Sequence, residues 1–444
     1  MTLTPQPPTV RSSAASFTQI TALALPALVV LAAEPIFLLI DTAVVGHLGA
    51  VPLAALAIGA IMLAVAGWVG AVLAYGTTAR AARKFGSGDR AAAVAEGVQG
   101  TWLALGASFI LFAIVQAAAG PIASAFTGDP EVAQAAALWM RIAAFGLPSL
   151  LLISAGQGWM RGVQDTKTPM RFVLIAFLVA AILTPTLVYP VGLGLPGSAI
   201  ANVVAQTIAG VLFLRALRRE NVNLRPQVWL LRKQLIANRD LLVRGLAMQA
   251  CFLSAAAVAG HVSTASLAAH QIGLQLWMFA SLALDAVAIA GQALIGAQLG
   301  ARSRNGAIAT AKKLTWIGLA YGGIFLALML ALSPVLPYAF SSDPAVWVQM
   351  NHIFLWMIVL MPVAGVVFAL DGVLIGAGDL AFMRNMTVAA AVFGWLPFTW
   401  ATPAFGWGLF GIWAGLAAFM VIRLVLILLR LRGGHWAVVG AQRA

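Results

Sequence analysis

Apolar residues fall in long uninterrupted runs along this chain, without the alternation of a half-buried strand or the stripe of a surface helix. Runs of about 20 residues, the length an α-helix needs to cross a bilayer, recur twelve times, at about 17–46, 52–82, 92–118, 132–158, 170–189, 196–217, 240–261, 265–299, 305–332, 346–373, 381–400 and 408–430. Helices satisfy their own backbone hydrogen bonds, which lipid cannot do. The pattern therefore predicts an all-α polytopic membrane protein with twelve transmembrane helices.

The spans form two copies of one unit. A single ungapped offset of 214 residues pairs Gly46-His47 with Gly260-His261, Trp102 with Trp316, and Asp129-Pro130 with Asp343-Pro344. It also pairs Pro148 with Pro362, Gly158 and Gly162 with Gly372 and Gly376, Asp165 with Asp379, and Gly192, Gly194 and Gly197 with Gly406, Gly408 and Gly411. Each copy holds six spans, an even number, so both enter the membrane from the same side as parallel repeats. The expected organisation is a tail at 1–16, an N-terminal lobe at 17–217, a linker at 218–239, a C-terminal lobe at 240–432 and a second tail at 433–444. An apolar run after Arg11 that reaches Leu31-Ala32-Ala33 imitates a signal peptide. The repeat makes 17–46 the counterpart of the seventh span, and this favours a retained helix.

Composition excludes a set of soluble domains. Hydrophobic residues make up 62% of the 444 positions and charged ones 9%, against roughly a quarter charged in soluble proteins. The net charge of +13 is a topology signal and needs no nucleic-acid partner. Arg80, Arg83, Lys84 and Arg90, then Arg161, Lys167 and Arg171, then the linker cluster from Arg215 to Arg244, then Arg302, Arg304, Lys312 and Lys313 lie on one side, and the connections near 46–52, 190–197, 261–266 and 401–408 carry no Lys or Arg. By the positive-inside rule, both termini and the linker are cytoplasmic, in a plasma or inner membrane. Cys251 is the single cysteine, so disulfides play no part.

Of 13 acidic residues, four sit well within spans: Glu34, Asp41, Asp285 and Asp371. A carboxylate at bilayer depth is costly unless paired, hydrated or protonated, so each is a functional candidate. Glu34 and Asp41 are seven residues apart in the first span, on one helical stripe and about 10 Å apart along the axis. They are too distant to touch but able to line one cavity. Their repeat partners, Met248 and Ala255, are neutral, so the pseudo-symmetry breaks there. Pro26 and Pro35 share that span, and each removes a backbone donor, which makes them hinge candidates. Asp285 and Asp371 stand opposite Ala71 and Gln157. Two readings are open for them, lining a cavity or held in structural hydrogen bonds. Arg141, in the fourth span, lies off the cytoplasmic pattern, as counter-ion or as a snorkelling side chain. His47 and His261, paired at helix ends, point to structural use.

At these residues the chain resembles the multidrug and toxic compound extrusion family, in its DinF-like branch. The segment LPALVVLAAEPIFLLIDTAVVGHLGAVPLAALAIG carries the resemblance, with AYGTTARAARKFGSGDRAAA at 74–93, WMRIAAFGLPSLLL at 139–152, GWMRGVQDTKTP at 158–169 and LALDAVAIAGQALIGAQLG at 282–300. The resemblance implies two six-helix lobes forming a V, and export of organic, often cationic or aromatic, compounds against an inward cation. It implies that Asp41 carries the coupling ion, with bending at Pro26 accompanying its protonation, and it accommodates Asp285 and Asp371. Archaeal members of the branch add an Asn and an Asp in the fifth span, where this chain has Ala180 and Thr184. Fewer oxygen ligands favour protons over sodium, although Thr42 and Thr184 keep sodium open.

The expectation is a proton-coupled antiporter without cofactor or metal, acting on small organic cations or amphipathic compounds in the bilayer. The alternatives are a sodium-coupled exporter and a lipid-linked precursor flippase. An intramembrane enzyme would need converging His, Ser or Cys groups, and only His261 and His270 lie near one another in sequence.

Overall fold

In a computed structural model, residues 14–441 are described. Most of the 1–16 tail and the last three residues of the 433–444 tail lie outside them. Among the described residues, twelve helices are long and apolar enough to span a membrane. They are α1 (Phe17–Gly46), α2 (Ala50–Gly86), α3 (Arg90–Phe126), α4 (Pro130–Gly162), α5 (Lys167–Val188), α6 (Leu195–Arg219), α7 (Val228–Val262), α8 (Thr264–Gly300), α9 (Arg304–Leu332), α10 (Pro344–Gly376), α11 (Leu380–Phe405) and α12 (Gly408–Arg432). A 3-10 turn at Ala144–Gly146 interrupts α4, and a π turn at Ala391–Trp395 interrupts α11. The protein is a multi-pass membrane protein.

The repeat is written into the helix ends. α2 and α8 begin and end 214 residues apart, and α4 and α10 do the same. The shared Asp-Pro pairs explain one of these starts. Asp129 accepts from the backbone N–H of Glu131 at 2.9 Å and Asp343 from that of Ala345 at 2.8 Å. Each caps a helix whose first position is proline, where the missing N–H costs nothing. His47 and His261 are a matched pair as well, each donating from Nδ1 to the carbonyl four residues earlier, Ala43 at 2.7 Å and Ala257 at 2.8 Å.

Two compact units emerge: Leu25–Asn238, and Met1–Ala24 with Arg239–Ala444. The divisions after Ala24 in α1 and after Asn238 in α7 are themselves 214 residues apart. α1 runs uninterrupted through Pro26 and Pro35, and the division falls just before Pro26. Segment 224–238 belongs to the first of these units through side-chain bonds. Trp102 Nε1 donates to the Leu224 carbonyl at 2.9 Å, and Gln234 Nε2 donates to Glu96 Oε2 at 2.9 Å.

Within each unit the helices pack through small residues, as expected where lipid offers no hydrophobic drive to association. Gly158 of α4 lies against the backbone of Ala74 in α2, and its repeat partner Gly372 of α10 lies against the backbone of Ala288 in α8. A Cβ at Gly372 would collide with the Ala288 carbonyl oxygen. Backbone cannot yield as a side-chain tip can, so Gly372→Val is expected to cost about 1–3 kcal/mol or more through overpacking. A lower unfolding midpoint in detergent, or loss of monodisperse protein, checks this. Large side chains such as Leu39, Ile182, Trp316 and Phe393 are exposed, a surface suited to acyl chains.

Candidate functional site

The Leu25–Asn238 unit contains a cavity of about 340 Å³. Helices α1, α2, α4, α5 and α6 contribute its walls, which are mostly apolar and include Phe37, Trp139 and Phe177. Such a chamber, apolar with a few polar groups, is the usual form of a small-molecule site. Glu34 and Asp41 both line it, because a spacing of seven residues returns to the same helix face.

Asp41 is 2% exposed. Its Oδ2 accepts from the Ser198 hydroxyl of α6 at 3.1 Å, and Ser198 Oγ accepts from Trp139 Nε1 of α4 at 3.2 Å. Its Oδ1 has no hydrogen-bond partner among the described residues, and no ion pair holds the carboxylate there. Indole, hydroxyl and carboxylate thus form a fixed file that orients Asp41 and leaves one oxygen free to bind a proton or cation. Glu34, an exposed residue facing the cavity near Gly67, stands without a hydrogen-bonded or ionic partner among the described residues.

Two wall residues escaped the sequence analysis. Asn202 and Gln206 of α6 line the cavity, and Asn202 Oδ1 and Gln206 Oε1 are buried without partners among the described residues. With Ser198 they recur every four residues, which puts three polar groups on one helix face. That spacing in an otherwise apolar span was the available signal.

The other candidates lie as follows. Gln157 lines the cavity, and its Oε1 accepts from Arg161 Nη2 at 2.6 Å. Ala180 lines it but offers no oxygen. Thr184 is fully buried, with Oγ1 unpartnered among the described residues, and is not a lining residue. Arg141 is exposed and also absent from the lining. Its carbonyl accepts from Gln116 at 2.9 Å.

Asp285 and Asp371 belong to the other unit. Asp371 is held by two arginines: Arg244 of α7 bonds its Oδ2 at 2.6 Å, and Arg423 of α12 bonds the same oxygen. Of the two readings open for Asp371, the structure shows it hydrogen-bonded and ion-paired. Arg423, 1% exposed, is a buried cation that the sequence analysis did not single out. It sits seven residues before Arg430, inside the twelfth span and short of the basic last turn of Arg430 and Arg432. Arg244 likewise belongs to helix α7 and not to a connecting segment. Among the described residues, no group of three His, Cys, Asp or Glu side chains is placed to hold a metal ion.

Comparison with known proteins bears on this arrangement. The MatE family model matches residues 6–186 and 241–400, more than half of the chain. Protein DETOXIFICATION 44, chloroplastic, of Arabidopsis thaliana is 31% identical over 445 residues, spanning 94% of this chain and 83% of that protein. DNA damage-inducible protein F of Escherichia coli (strain K12) is 28% identical over 426 residues, spanning 90% of this chain and 89% of that one. A crystal structure of MATE in the bent conformation shares the fold, with a TM-score of 0.82 at 18% identity over 95% of both chains. The family expected from the helix 1 segment is thus the one that both the sequence match and the fold indicate, and this chain belongs to the MatE family of multidrug and toxic compound efflux transporters.

Proposed function

We propose that the protein is a secondary antiporter that exports organic, often cationic or aromatic, compounds across the plasma or inner membrane in exchange for inward protons, with both termini cytoplasmic and Asp41 as the coupling-ion carrier. One observation carries this reading. A buried carboxylate without a cation partner among the described residues opens onto an apolar, aromatic-walled cavity. Ionised, Asp41 attracts a proton or a positively charged compound into surroundings where charge is weakly screened. Protonated, it releases the compound. Glu34 tunes the field of the same chamber.

Pro26 and Pro35 give α1 the freedom to bend as the charge on Asp41 changes. The division between units just before Pro26 supports a hinge there. A MATE of similar fold has been crystallised in a conformation described as bent, which fits the same reading.

Sodium coupling is the second reading. Asn202 and Gln206 favour it, since their carbonyl oxygens lie buried and unpaired in the wall shared with Asp41. Reconstituted protein separates the two readings when ethidium accumulation is followed under a pH gradient alone and a sodium gradient alone. Proton coupling is expected to give accumulation with the first and none with the second, and the reverse result would establish sodium.

A further inference from the structure

Four residues lining the Asp41 cavity are Val30, Ala71, Gln157 and Ala209. The offset of 214 gives them as partners Arg244, Asp285, Asp371 and Arg423. Four neutral side chains around a cavity in one unit are thus replaced by two cations and two anions in the other. The backbone frame is shared, as the matched packing of Gly158 on Ala74 and Gly372 on Ala288 shows. Arg244 and Arg423 converge on Oδ2 of Asp371, and Asp285 adds a second negative charge acting on Arg423. Asp371 is 6% exposed and Arg423 1%.

We infer that this quartet is a charge-balanced plug, in which Arg244 and Arg423 close the Arg239–Ala444 unit to cations and confine cation exchange to the cavity of the Leu25–Asn238 unit. The inference rests on the reading of Asp41 given above and extends it to stoichiometry: one coupling cation per cycle. An entering cation would have to displace a guanidinium from Asp371 while facing the other one, and like charges repel strongly where water is scarce. Removing one partner of a buried pair leaves the other uncompensated, so the plug resists opening in parts. The large aliphatic stems and guanidinium groups also occupy volume that valine and alanine leave free.

Dicyclohexylcarbodiimide adds to protonated carboxyl groups in apolar surroundings, and peptide mass spectrometry locates the adducts. In the purified full-length protein, modification is expected at Asp41 and not at Asp285 or Asp371. In the double variant Arg244→Val, Arg423→Ala, Asp371 is expected to become modified to an extent similar to Asp41. Modification of Asp371 in the parent would overturn the inference, as would a folded double variant whose Asp371 stays inert.

Should the double variant fail to fold, a second variant replaces all four residues with their repeat partners, Arg244→Val, Asp285→Ala, Asp371→Gln and Arg423→Ala, and adds Ala255→Asp to give this unit the counterpart of Asp41. Tetraphenylphosphonium bound per chain, measured by equilibrium dialysis, is expected to rise from one in the parent to two, and two in the parent would contradict the plug. Absence of modification at Asp41 would count against the coupling role of that residue, a failure separate from any result at Asp371.

Discussion

Asp41→Asn is expected to reduce gradient-driven accumulation of an organic cation to the level of protein-free liposomes. The amide keeps the size of the side chain and still accepts from Ser198, so the file from Trp139 is preserved. It loses the capacity to change charge. One proton exchanged for one monovalent cation is electroneutral, so the pH difference alone sets the limit. Each pH unit is equivalent to about 1.4 kcal/mol, or about tenfold accumulation. The parent is expected to approach that ratio and the variant to remain near unity. For an uncharged substrate the membrane potential adds about 2.3 kcal/mol per 100 mV, and the variant loses this contribution too. Ethidium accumulation in proteoliposomes under an imposed pH gradient checks the result, with thermal unfolding of the same preparation showing that the variant is folded.

Arg423→Ala is expected to have the largest effect on stability. Asp371 accepts from two guanidinium groups on one oxygen, and its Oδ1 is already without a hydrogen-bond partner among the described residues. Removing the more buried arginine leaves a carboxylate at bilayer depth with half of its compensation and opens a void beside it. Breaking a buried pair from one side costs about 3–5 kcal/mol. Replacing both members, Arg423→Met with Asp371→Asn, is expected to recover part of the loss, because no uncompensated anion is left while Arg244 exchanges its carboxylate partner for an amide oxygen. Unfolding midpoints in detergent for the parent, the single variant and the double variant check both statements.

How far the sequence discloses this molecule depends on what kind of signal each part leaves. The twelve spans were legible because lipid imposes length and composition on every helix that crosses it. The repeat was legible because turns and caps recur, and the structure gives those marks their physical use: Asp129 and Asp343 cap helices, and His47 and His261 bond the carbonyls behind them. Glu34 and Asp41 stood out as acids with neutral partners in the second copy, and their seven-residue spacing does bring them to one cavity. Ser198, Asn202 and Gln206 left a weaker trace. Neutral polar residues are common in membrane helices, and only their four-residue recurrence marks a face.

Arg244 and Arg423 were hidden for a different reason. Lys and Arg near helix ends are counted as topology markers, so Arg244 merged with the basic linker cluster, while Arg423, inside the twelfth span, was not singled out. That they meet at Asp371 is a fact of tertiary packing between α7, α10 and α12. Yet the rule that exposed Asp41, a charge opposite a neutral repeat partner, applies equally to them. The sharing of α1 and α7 between units leaves no compositional mark either. The linker 218–239 appears as the boundary in the sequence, whereas the compact units divide inside the two helices, after Ala24 and after Asn238.

The exchange of a proton for a cationic compound at one carboxylate is tested most directly by counting protons when the compound binds. In weakly buffered detergent solution, at a pH where the carboxyl is protonated in the free protein, tetraphenylphosphonium binding is expected to release close to one proton per molecule bound to the parent. The Asp41→Asn protein is expected to release none. Equal release from both proteins, or binding to the parent with no release at any pH, would contradict the assignment of Asp41 as the carrier.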